Sequence, residues 1–155
     1  MENEASQILE VDMIIKAQVQ NRKDVHQVTL TTNGETHELT IAPRPIGFGS
    51  SVNGGELLCL AMATCYCNDI YREAAKHGIV VESVEVEVES EFGKEGHPAR
   101  FIGYNARVSA HASKDAIREL MVLTNRMAEI QNTVRKGLSI SLDQMEAISL
   151  LPDSK

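Results

Sequence analysis

Between Leu57 and Cys67 the chain reads Leu-Leu-Cys-Leu-Ala-Met-Ala-Thr-Cys-Tyr-Cys, without a single charge. Signals for a helix start and a helix stop bracket this run. Asn53 followed three residues later by Glu56 has the form of a capping box, in which side chains and backbone at a helix start exchange hydrogen bonds. Gly78 suits the left-handed position just past a helix end, with Ile79 behind it for the accompanying apolar contact. The pattern predicts one long helix from about Gly54 to His77. Its first half is apolar on every face, whereas Asn68 to His77 returns to charge and should emerge toward solvent. A helix apolar all round has to be covered all round, and one small sheet covers one face. Other helices or a second copy of the chain must cover the remainder, and a chain of 155 residues has few helices to spare. An obligate dimer is the expectation.

The flanking segments read mainly as strands. Met13 to Val19 and Val25 to Thr31 are separated by the polar run Gln20 to Asp24, which contains Arg22 and has turn character. Asn33-Gly34 then offers a second tight turn into Thr36 to Ile41, making a three-stranded meander. Ala42 to Gly55 holds Pro43, Pro45 and glycines at 47, 49, 54 and 55, so it reads as a loop, with Arg44 between the two prolines. After the long helix, Val84, Val86 and Val88 alternate with Glu85, Glu87 and Glu89, the period of a strand with one wet face. The alternation resumes through Ile102, Tyr104, Ala106, Val108 and Ala110, an antiparallel partner for the first. Ser113 is placed to cap a second helix whose face runs Ile117, Leu120, Thr124, Met127 and Ile130 or Gln131. Leu138, Ile140 and Leu142 alternate once more as a final strand. The order βββ-α-ββ-α-β is an α+β architecture in one domain over residues 1–155, with antiparallel sheets around a buried central helix.

Charge and composition remove several functions. Fifteen Lys and Arg against 22 Asp and Glu leave a formal charge of −7, which repels phosphate backbones and anionic lipid, so no nucleic-acid or membrane partner is expected. The N-terminus MENEASQILEVDM carries acids where a signal peptide needs a basic flank and an apolar run, which reads as cytoplasmic. Three cysteines between Cys59 and Cys67 make neither a disulfide framework nor a spaced zinc site. The histidines at 26, 37, 77, 97 and 111 are dispersed, and no cofactor or metal is expected. No Gly-x-Ser-x-Gly elbow is present, nor a Lys-Ser or Lys-Thr behind the glycine-rich loop. With aromatics at 4% and no Trp, any pocket should be aliphatic.

Cys65 lies midway along the uncharged helix, preceded by Ser51-Val52-Asn53-Gly54-Gly55-Glu56-Leu57-Leu58. This string resembles the OsmC/Ohr family of osmotically induced and organic-hydroperoxide-resistance proteins. The central helix of that family opens with a G-[TP]-N-P-x-E-L-like turn and carries a small-residue run ending in a peroxide-attacking cysteine. Asn53, Glu56, Leu57 and Leu58 match, Gly54 replaces the family's proline, and Cys65 falls at the reactive position. The resemblance implies an intertwined homodimer with active sites at the subunit interface. It also implies a thiolate that attacks the O–O bond of a small apolar or lipid-like hydroperoxide. Arg22 takes the place of the family's assisting arginine, with Arg44 the second candidate. Two family features are missing: the resolving cysteine, whose segment here is Asn132-Thr133-Val134-Arg135, and the assisting acid, whose position is Gly55. Glu56 beside it doubles as the cap residue.

At about 100° per residue, Cys67 points roughly 200° from Cys65 and Cys59 about 120° away on the other side, so neither replaces the resolving thiol within one helix. A low-molecular-weight thiol would have to regenerate Cys65. The helix dipole does not activate that thiol, since Cys65 lies roughly 18 Å past the cap and the dipole fades within a turn. Two functions stay open: a single-cysteine hydroperoxide reductase, and a non-peroxidatic dimer binding a small apolar ligand.

Overall fold

A computed structural model describes residues 12–151. The acidic N-terminal stretch read as lacking a signal peptide therefore lies, except for Asp12 and Met13, outside the described residues. Eight elements follow in the order β1 (Ile15–Arg22), β2 (Val25–Thr32), β3 (Glu35–Glu38), α1 (Gly54–Lys76), β4 (Val81–Phe92), β5 (Ala99–Ala110), α2 (Lys114–Met127) and α3 (Glu129–Lys136). The chain forms two compact units that divide between Leu57 and Leu58. Among the described residues no helix is long and apolar enough to cross a membrane.

The first unit carries the antiparallel sheet β1-β2-β3. Ile15 pairs with Thr32 and Arg22 with Val25, so the first turn is only Lys23-Asp24, with Asp24 at φ +61°. Arg22 is thus an exposed strand-end residue rather than part of a wider turn. Asn33 and Gly34, at φ +50° and +89°, make the second turn, and Asn33 Oδ1 also accepts from the Ile14 N–H at 2.9 Å. β3 stops at Glu38, short of the expected Ile41. The Pro- and Gly-rich loop folds back on itself through Arg44 N–H to Gly49 O at 3.1 Å and Ser51 N–H to Ala42 O at 2.9 Å. Asn21 accepts from the Gly49 N–H at 3.0 Å and ties this loop to the end of β1. The capping box forms as read: Asn53 N–H donates to Glu56 Oε2 at 2.7 Å and Glu56 N–H to Asn53 Oδ1 at 2.9 Å.

In the second unit β4 and β5 pair antiparallel, Val84 opposite Val108 and Val86 opposite Ala106. These valines, with Tyr104 and Ala106, pack on a buried cluster of Tyr66, Ile70 and Ala74 from α1, Leu120 from α2 and Ala128. The Tyr66 and Tyr104 rings meet edge to face at 5.1 Å, and Tyr66 donates its hydroxyl proton to Met121 O at 2.9 Å. Burial pushes the Tyr66 hydroxyl up to about 12. α1 ends as expected, with Gly78 at φ +66° and Ile79 N–H bonded to Ala74 O at 3.0 Å.

Three expectations are corrected. The charged half of α1 emerges into solvent on one face only: Asn68, Arg72, Lys76 and His77 are exposed while Asp69, Ile70, Glu73 and Ala74 are buried, and on the apolar half Leu60 stays 56% exposed. Burial of the acids is tolerated because Arg72 bridges Asp69 at 2.8 Å and Glu73 at 3.0 Å, and Lys76 meets Glu73 at 2.9 Å. The helix expected from Ser113 through Gln131 is two helices, broken at Ala128, whose extended ψ of 108° interrupts the ladder. Ser113 does cap α2, accepting from the Ala116 N–H at 3.2 Å. No strand forms over Leu138 to Leu142. The described residues beyond Gly137 hold no regular element, and Ile140 is 97% exposed, because no strand edge of the described chain pairs with it.

Glu73 generates a test. Its carboxyl is held below the usual range by hydrogen bonds from Lys76 and then Arg72. A depressed folded-state value contributes stability above the unfolded value of about 4.3 and loses it as pH falls through the folded value. Thermal melts of Glu73→Gln should therefore fall below wild type near neutral pH, with the gap closing below about pH 4. A gap independent of pH would show that the carboxylate charge contributes nothing.

Candidate functional site

Cys65 sits on α1 one helical turn before Asp69, and the two side chains share a face because residues four apart overlie one another. The half-buried thiol donates to Asp69 Oδ2 at 3.4 Å. Its other acceptor comes from α3, whose first residue brings Glu129 Oε2 to 3.9 Å from the sulfur. The break at Ala128 is what places Glu129 there: it turns the chain between α2 and α3 and lets α3 start beside α1. Gln131 pins that packing, its buried amide donating to Met62 O of α1 at 2.9 Å.

Arg72 organises the two carboxylates. Its Nη1 lies 2.8 Å from Asp69 Oδ1 and 3.1 Å from Glu129 Oε1. Each acid thus turns one oxygen to the guanidinium and the other to the sulfur. The Cys65 sulfur and a carboxylate oxygen from each acid lie within 4.8 Å of one another, a grouping that attracts a cation. Arg72 already meets both acids, so the positive partner of the cluster is supplied by the chain itself.

These neighbours decide the protonation states. Burial pushes the Cys65 thiol up, Asp69 and Glu129 add to the rise, and the Ile130 backbone N–H offsets part of it. Burial also raises the Asp69 carboxyl, against the lowering pull of the Cys65 hydrogen bond and Arg72. At Glu129 burial again works upward, but its own backbone N–H and Arg72 outweigh it and hold the carboxyl low. The thiol therefore keeps its proton at rest and directs it to Asp69.

The other residues singled out in the sequence have assignable places. Arg22 closes β1 and Arg44 lies in the loop, its Nε donating to Ser50 O at 3.4 Å; both are exposed residues of the first unit. Glu56 is occupied by the cap of α1. Asn132 lies inside α3, donating to Arg126 O at 2.9 Å and accepting from Arg135 Nη1 at 2.9 Å, which staples α3 to the end of α2. Cys59 and Cys67 are free thiols, like Cys65. Cys59 faces Ser90 Oγ at 3.1 Å, while Cys67 lines a shallow cavity of about 240 Å³ with Ala63, Thr64, Asn68 and Val86.

Sequence reasoning missed Asp69, Arg72 and Glu129. Asp69 and Arg72 were open to it, since positions four and seven beyond Cys65 fall on one helix face. Glu129 was not, because only the packing of α3 on α1 brings together two residues 64 apart in the sequence.

With this geometry in hand, similarities to other proteins can be placed. Residues 47–143 match a family profile described as OsmC-like protein. An OsmC-like protein from Mycoplasma pneumoniae superimposes with a TM-score of 0.54 at 16% identity, covering 79% of this chain and 89% of that one. An OsmC-like protein of unknown function from Vibrio cholerae gives 0.53 at 14% identity, over 79% and 92% of the two chains. An organic hydroperoxide resistance protein OsmC from Legionella pneumophila gives 0.50 at 20% identity, over 80% and 89%. At these identities the likeness is one of fold. Among curated proteins there is no match.

The acid pair at the sulfur makes a direct prediction. Alkylation of Cys65, followed peptide by peptide in a mass spectrometer, should show a midpoint above the ordinary free-thiol value of about 8.5. A midpoint below that value would mean that a cation, and not the two carboxylates, governs the thiol.

Proposed function

Because the chain belongs to the OsmC-like protein family, we propose that it is a single-cysteine, thiol-dependent reductase of organic hydroperoxides. The observation that carries this reading is the position of Cys65. The residue matched to the family's peroxide-attacking cysteine is half-buried where α1 meets α3, with its proton already directed to a carboxylate. That a similarly folded protein bears the name organic hydroperoxide resistance protein supports the same chemistry.

Cys65 attacks the hydroperoxide, the O–O bond breaks, and a sulfenic acid remains on sulfur. Cys59 and Cys67 point to other neighbours, so a low-molecular-weight thiol reduces the sulfenic acid. Arg22 is the cation that the resemblance assigns to the peroxide, with Arg44 as its substitute. Glu56, beside the position of the missing acid, and Asn132, in the segment of the missing resolving cysteine, are the binding candidates of this reading, already engaged at the start of α1 and in the α2–α3 staple.

The acting unit in this proposal is a homodimer. The support is physical: Leu60 on the uncharged half of α1 is 56% exposed, and beyond α3 the exposures of Ile140, Leu142 and Met145 are 97%, 76% and 83%. So much outward apolar surface on one short segment and one helix face calls for a partner. A second copy offers the matching surface by symmetry.

A second reading has its own support. Two carboxylates at the sulfur disfavour the thiolate, and the resolving cysteine is missing, both of which suit a dimer that binds a small apolar ligand without turnover.

The two readings separate in one assay. Wild type mixed with cumene hydroperoxide and dithiothreitol should consume peroxide faster than Cys65→Ser does. Equal rates would remove the reductase and leave the binding protein. Light scattering of the same samples should return twice the 17.0 kDa chain mass, and a single-chain particle would end the dimer.

A further inference from the structure

We propose that Asp69 is the proton relay of Cys65, taking the thiol proton as sulfur attacks the peroxide and returning it to the departing alkoxide. This inference rests on the hydroperoxide-reductase reading. It assigns a catalytic role to a residue that the family resemblance did not supply.

The geometry selects Asp69 over its neighbours. Asp69 Oδ2 is the acceptor of the Cys65 thiol at 3.4 Å, whereas Glu129 Oε2 lies at 3.9 Å. The Asp69 side chain is 7% exposed and that of Glu129 is 65% exposed, so water competes for Glu129 and scarcely for Asp69. Arg72 holds Asp69 Oδ1 at 2.8 Å and thereby leaves Oδ2 to the sulfur. Arg72 is in this sense a positioning residue.

The chemistry requires such an acceptor. Besides Asp69 on α1, the titratable groups near the thiol among the described residues are Glu129 from α3 and Tyr104 from β5. Tyr104 is itself raised, chiefly by burial, and keeps its proton, so among the described residues the two carboxylates are the nearby groups placed to accept one. With the thiol pushed up, little thiolate exists near neutral pH, and the proton must leave during the attack. In the step Cys–SH + ROOH → Cys–SOH + ROH, sulfur bonds to the distal peroxide oxygen and is oxidised by two electrons. The O–O bond breaks, the thiol proton passes to Asp69, and Asp69 protonates the RO⁻ leaving group. Two equivalents of a low-molecular-weight thiol then reduce the sulfenic acid. The first forms a mixed disulfide and releases water, and the second frees Cys65 and leaves the small disulfide.

The test is a single turnover of pre-reduced protein with cumene hydroperoxide, trapping the Cys65 sulfenic acid with dimedone, in wild type and Asp69→Asn across a pH series. The relay predicts that the Asn variant slows by at least about 100-fold near neutral pH. It should do so even though removing the neighbouring charge moves the Cys65 alkylation midpoint down. A variant as fast as wild type, or faster, overturns the relay: Asp69 would then be only a charge that suppresses the thiolate, and the reductase reading would stand. No Cys65 sulfenic acid in wild type defeats that reading and the relay with it. Should Asp69→Asn fail to fold, wild type in D₂O decides. Proton transfer during the attack slows the turnover there, and a rate that does not fall overturns the proposal.

Discussion

Arg72 holds the second unit's functional end together. One guanidinium meets Asp69, Glu73 and Glu129, two acids on its own helix and one on α3. Without it, α1 would bury two carboxylates on one face with only Lys76 to answer them. Such burial is costly for an unpaired charge. At 39% exposure the guanidinium is partly screened by water, so its value lies less in raw attraction than in orientation. Each carboxylate that also faces the sulfur keeps one oxygen on Arg72, and the free oxygen of each is turned to Cys65.

That arrangement inverts the usual way of activating a cysteine. A thiol made nucleophilic by a cation loses its proton before the substrate arrives, whereas Cys65 sits among acids and keeps it. Reactivity then depends on where the proton goes during the attack, and not on the resting fraction of thiolate. The same surroundings favour a protein that keeps its thiol intact until an oxidant reaches it. They also leave a ligand-binding role in competition with the enzymatic one, since both rest on the half-buried thiol where α1 meets α3.

The apolar half of α1 and the segment after α3 raise a shared packing question. Leu60 and Ile140 leave most of their surface in water, which a stable soluble particle avoids on this scale. The alternation at Leu138, Ile140 and Leu142 remains that of a strand, although no strand among the described residues pairs with it. A strand is a property of two segments, and its partner has to be present for the pattern to become structure.

Local signals were readable because their physics is local. The Asn53–Glu56 cap, the Asn33-Gly34 turn, the Gly78 helix end and the valine–glutamate alternation of β4 each depend on neighbours within a few residues, and each formed where the residue types put it. The α+β order as far as α2 was legible for the same reason, whereas Cys65 was singled out by the family resemblance and not by local physics. What the residue string left open is everything that depends on contact at long range. Asp69 and Glu73 on α1 turn inward because Arg72 and Lys76 neutralise them. Ala128 breaks a helix that no Gly or Pro marks, because its burial in the core turns the chain there. Glu129 reaches the sulfur because that break sets α3 against α1. Pattern along the chain specifies which surfaces are apolar and where elements start and stop. Which surfaces meet, and so which charges surround a thiol, follows from packing energies summed over segments far apart in the chain.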